Sequence, residues 1–116
     1  MSAARRIDEK LNSFIEEYVD SFVKWDLVTF FSYNPDERGT AEQLAGRLGR
    51  KPRDIKEALD ILAKRKLLSF DTDSGEYAFE PSDDMKARVK SFCDALEDRD
   101  LRLEILAKLL RVKATH

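Results

Sequence analysis

Arg47, Arg50, Lys51, Arg53 and Lys56 fall within ten residues of one another, and Lys64 follows eight residues on. Cations at this density can neutralise the phosphates of a nucleic-acid backbone, the contact that supplies most of the affinity of proteins for DNA. The same stretch carries acids. From Thr40 to Glu80 there are eight basic and eight acidic residues, so the region has no basic excess and any phosphate contact depends on where the cations sit. With Ile55, Leu59 and Leu62 turned inward, a helix here presents Arg53, Glu57, Asp60 and Lys64 outward. Arg53 with Glu57, and Asp60 with Lys64, are spaced to pair across one turn, which predicts a nearly neutral face. An aspartate or glutamate there can also accept from the amino group of cytosine.

Other chemistries lack their residues. His116 is the only histidine and closes the chain, so neither a His/Cys metal cluster nor a histidine-based triad can be assembled within one copy. Gly39, Gly46, Gly49 and Gly75 are too scattered to form a phosphate-cradling loop before a helix. Asp71, Asp73 and Glu76 match no calcium-loop spacing and read as a solvated hairpin. Cys93, next to Phe92 on an apolar line, reads as a small core residue rather than a redox switch, since no second cysteine can resolve a sulfenate. The expectation is a protein without catalytic residues, metal or cofactor.

The elements that must position the cations are legible from periodicity. Ile7, Leu11, Phe14, Tyr18 and Phe22, widened by Ile15, Val19 and Val23, mark an amphipathic helix beginning near Ile7. FVKWDLVTFFSY is too apolar for a surface helix and reads as a core element, with a kink or short break at Asp20 and Ser21. The aromatics Phe14, Tyr18, Phe22, Trp25, Phe30, Phe31 and Tyr33 are assigned to the core, with an effector pocket as the alternative. Asn34-Pro35 ends that helix and DERG supplies a polar turn.

Thr40 and Gln43 form a capping box that starts a helix at Ala41, with Leu44, Ala45 and Leu48 on its inner face and Gly49 just past its end. Pro52 then occupies a first helical position, and Ile55, Ala58, Leu59 and Leu62 mark the inward face of a helix running to about Lys66. LLSFDTDSGEYAFEP predicts two strands, Leu67 to Thr72 and Glu76 to Phe79, turning at Asp73-Ser74-Gly75.

Ser82 caps a final helix with Asp83 and Asp84 in its first turn. Met85, Val89, Phe92, Leu96, Leu103, Leu106 and Leu110 follow steps of four and three, apart from Arg99 on the same line, and are the candidate dimer interface. Leu101, Ile105, Leu109 and Val112 form a second line. Unbroken, residues 83 to 113 would extend about 45 Å; a break in EDRD, residues 97 to 100, would fold the last segment back.

The order helix, helix, turn, helix, hairpin, from about Phe22 to Pro81, resembles the winged helix-turn-helix domains of small bacterial and archaeal transcription regulators of the MarR, ArsR and PadR kinds. Thr40-Ala41-Glu42-Gln43-Leu44-Ala45, Leu59, Leu62, Leu67-Leu68, Gly75 and Tyr77 carry the likeness. It implies a mostly α fold with a small β-hairpin, and it places the helix from Pro52 in a DNA major groove with Arg47, Arg50, Lys51, Arg53, Lys56 and Lys64 as contacts. The hairpin departs from the family: Asp71, Asp73 and Glu76 are acids, and Asp71 to Glu76 contains no base.

Length and composition fit one domain over residues 1–116: an N-terminal helix over 6–20, a winged helix-turn-helix over 21–81 and a C-terminal extension over 82–113. A single cysteine excludes an internal disulfide, and no run approaches the roughly 20 apolar residues of a membrane span. The expectations are therefore a cytoplasmic regulator, dimeric through its terminal helices and bound to duplex DNA, or in the alternative an adaptor that docks on a protein partner through its winged helix or C-terminal stripe.

Overall fold

In the computed structural model, which describes residues 6–115, every helix but α4 begins where a short polar side chain accepts from its first turn. Asp8 accepts from the Leu11 amide to open α1 (Glu9–Tyr18), and Ser21 accepts from Lys24 to open α2 (Phe22–Tyr33). The break expected around Asp20 and Ser21 is present, although α1 starts at Glu9 rather than nearer Ile7, because Asp8 serves as the cap. The Thr40 and Gln43 capping box closes from both sides at the start of α3 (Ala41–Leu48). Gly49 ends that helix at φ 65°, in the left-handed region open to glycine, and its amide and that of Arg50 both donate to the Ala45 carbonyl. After the turn Gly49 to Lys51, α4 (Pro52–Lys64) buries Ile55, Ala58, Leu59 and Leu62.

The polar turn expected at DERG begins as one at Pro35 and Asp36, where the Glu37 amide donates to the Asn34 carbonyl at 3.1 Å, but its last two residues are a strand. β1 (Arg38–Gly39) pairs antiparallel with β3 (Glu76–Ala78), which also pairs with β2 (Ser69–Asp71), giving a three-stranded sheet in the order β1-β3-β2. Two residues carry no readable alternation, so β1 exists only because the chain returns to lie along β3. The two hairpin strands are shorter than expected, because Leu67 and Leu68 are buried in the core ahead of β2. Lys66 takes φ 69° there and turns the chain out of α4.

The chain breaks again at Glu97 and Asp98, separating α5 (Asp83–Leu96) from α6 (Arg99–Thr115). Ser82 caps α5, and Asp98 accepts from the Leu101 amide to cap α6. The break lets α6 fold back, so that Leu101, Ile105 and Leu109 join a core otherwise built from Phe14, Ile15, Leu27, Phe31, Leu59, Leu62 and Phe92. Rings stack through this core: Phe14 lies 5.6 Å from Phe92 and Trp25 meets Phe92 edge-on at 6.1 Å. The aromatics pack on one another as core residues do. The exception is Tyr33, which is 60% exposed.

Candidate nucleic-acid interface

α4 packs against α3 and α2 on one side and leaves the other side open. The six candidate cations divide into two groups. Arg47 at the end of α3 is held by Glu37, Nη1 to Oε2 at 3.0 Å, with its guanidinium 5.0 Å above the Phe30 ring. Arg50 in the turn reaches back to α2, Nε donating to Asp26 Oδ2 at 2.6 Å. Lys56 on α4 donates to Asp60 Oδ2 at 3.0 Å. Lys51, Arg53 and Lys64 are exposed and have no ion-pair partner among the described residues.

The pairing along α4 differs from the one read from the sequence. Arg53 with Glu57 and Asp60 with Lys64 do not form; Asp60 turns instead toward Lys56 and toward the sheet, where the Tyr77 hydroxyl donates to Oδ1. That phenol, buried beneath Phe70, decides the direction of the carboxylate. The bond from Tyr77, supported by Lys56, holds the Asp60 carboxyl below its ordinary range. Burial, and then the neighbouring Asp60 carboxylate, push the Tyr77 phenol up. Removing Lys56 and Asp60 from the exposed charge pattern leaves Arg53, Glu57 and Lys64 along the open side of α4.

The N-terminus of α4 stands apart from the others. Asp8, Ser21, Thr40, Ser82 and Asp98 each accept from the first turn of their own helix, whereas Lys51, at the N-cap of α4, makes no such bond. Pro52 at the first helical position has no amide to satisfy. The positive end of the helix dipole thus opens between Lys51 and Arg53 without a side-chain oxygen closing it, although Asp54 adds one negative charge to the first turn.

In the hairpin, Asp71 Oδ1 accepts from the Asp73 amide at 2.9 Å and Ser74 Oγ accepts from the Glu76 amide at 3.2 Å, with Gly75 at φ 73° completing the turn. The acids are partly answered by a residue the sequence did not point to. β1 brings Arg38 alongside β3, its Nε 3.5 Å from Glu76 Oε1. No local pattern signals this, because the approach depends on a pairing nearly forty residues apart.

The candidate dimer stripe is not one surface. Val89 and Phe92 are buried in the chain's own core, and Met85 and Leu96 are half-buried against it. Beyond the break, Leu106 is half-buried while Leu103 and Leu110 face solvent. Cys93 is buried, and burial raises its thiol above the ordinary value. Among the described residues no group of His, Cys, Asp and Glu could hold a metal ion, and no helix is long and apolar enough to cross a membrane. Compared with protein-family models, with curated proteins and with solved structures, the chain matches none.

Proposed function

We propose that the chain is a winged helix-turn-helix DNA-binding protein, acting as a transcriptional regulator, with α4 as the element that enters the major groove. The observation that carries this reading is the open N-terminus of α4 between Lys51 and Arg53, two exposed cations without ion partners among the described residues. Uncapped first-turn amides with exposed cations on either side of Pro52 in the chain are the components an anion site uses. Arg47 and Arg50 precede it in the chain, and their ion pairs with Glu37 and Asp26 involve side chains one-third to one-half exposed. Pairs so exposed contribute about 0.2–1 kcal/mol and exchange readily for phosphate. Lys64 extends the contact along α4, and Lys56, whose pair with Asp60 is at least as exposed, exchanges on the same grounds.

A protein-docking winged helix is the second reading, favoured by the carboxylate of Asp60 fixed on the exposed side of α4 and by the acids of the hairpin. Fluorescence anisotropy of mixed genomic duplex fragments over a range of salt separates the two. DNA binding gives an affinity that falls steeply with salt, each lost phosphate contact lowering the logarithmic slope by about 0.9. Lys51→Ala with Arg53→Ala weakens binding and flattens the slope. Absence of binding at low salt, or affinity indifferent to salt, removes the DNA reading and leaves protein docking.

A further inference from the structure

α6 is apolar on two opposite sides. Leu101, Ile105 and Leu109 fill the core, while Leu103 and Leu110 are 50% and 56% exposed with Leu106 and Ala107 half-buried between them. Leu103 and Leu110 are two turns apart on one line of the helix, about 10 Å along its axis. They account for two of the four exposed large apolar side chains among the described residues. A second apolar line, on a helix whose first already fills the core, is left for another surface to cover.

The charges framing the open side are mostly positive. Arg99, Arg102, Arg111 and Lys113 are exposed around the leucines. Of the two acids on α6, Glu104 is already engaged, accepting from the Ile7 amide at 2.7 Å and lying 3.7 Å from Arg6, which leaves Asp100 against four cations.

We propose that this face docks an acidic amphipathic helix of another protein, one presenting leucine-like anchors at helical spacing between rows of glutamate or aspartate. The charges argue against a second copy of the chain. Two α6 helices meeting through these leucines bring eight exposed cations together with two exposed acids. A lipid surface is a poorer match, because the opposite side of α6 is fixed in the core and only a narrow strip without aromatic residues remains to insert.

The test uses the full chain and two fluorescein-labelled 18-residue peptides with identical leucine positions, one flanked by glutamates and the other by lysines, read by anisotropy at low salt. The glutamate peptide binds saturably, at least tenfold more tightly than the lysine peptide, and Leu103→Gln with Leu110→Gln weakens it at least tenfold. Arg99→Glu with Arg111→Glu reverses the preference, which guards against a folding defect in the leucine variant. Salt-dependent DNA binding through α4 is left unchanged by both double variants, so the two readings fail separately. Equal binding of both peptides, or no binding, overturns the proposal. So does a dimer in light scattering that the leucine variant dissociates, or binding to phosphatidylserine vesicles that it abolishes.

Discussion

Tyr77 on the middle strand donates its hydroxyl to Asp60 on α4, and Lys56 closes on the other carboxylate oxygen at 3.0 Å. One buried phenol thereby ties the sheet to the exposed helix and decides which cation on that helix is engaged. Tyr77→Phe keeps the ring and its packing on Phe70 but removes the bond. The expected loss is about 1 kcal/mol, the usual net value of a hydrogen bond, with Asp60 remaining solvated through its exposed side. Urea unfolding reads it as a lower midpoint at an unchanged slope.

Acid should weaken the same link. The carboxyl of Asp60 titrates below its ordinary value in the folded chain, first because of Tyr77 and then Lys56, so its contribution is complete above the unfolded carboxylate range, about pH 4. It is lost as pH falls through the lowered folded value. Asp60→Asn should remove this part of the acid dependence. Stability measured by urea titration from pH 6 down to pH 3 should fall less steeply in the variant than in the parent, and equal slopes would show that the link contributes nothing.

Asp26 restrains Arg50 through a 2.6 Å bond from α2 to the turn before α4. If the turn faces a phosphate backbone, Asp26→Asn removes a competing anion and releases a cation. Tighter DNA binding at low salt is expected, at a cost in folding stability below about 1 kcal/mol because the pair is partly exposed. An unchanged or weaker affinity would mean that Arg50 serves to position the turn.

Two glycines three residues apart should respond in opposite directions. Gly46 lies inside α3 with nothing within 4 Å of an added Cβ, so Gly46→Ala should stabilise by about 0.5–1 kcal/mol through helix propensity. Gly49 has equally open space but sits at φ 65°. Gly49→Ala should destabilise by about 1 kcal/mol, since the obstacle is its own backbone and no neighbour can relieve it. Thermal unfolding of the two variants beside the parent decides the matter.

What the sequence determined by itself was local. Thr40 with Gln43, Gly49, Pro52 and Ser82 act within a few residues of their own amides and carbonyls, and the steps of Ile55, Leu59 and Leu62 select a buried side before any neighbour is placed. Tertiary structure decided what had two solutions or required a distant partner. Both leucine lines of α6 have helical spacing, and the break at Glu97 and Asp98 assigned Leu101, Ile105 and Leu109 to the core while leaving Leu103 and Leu110 outside. Arg38 reached the hairpin through β1, and Asp60 chose Lys56 over Lys64 because Tyr77 fixed its carboxylate from another element. Caps and periodicity are short-range interactions written in adjacent residues, whereas the direction of an exposed charge is set by whichever buried donor the folded chain brings beside it.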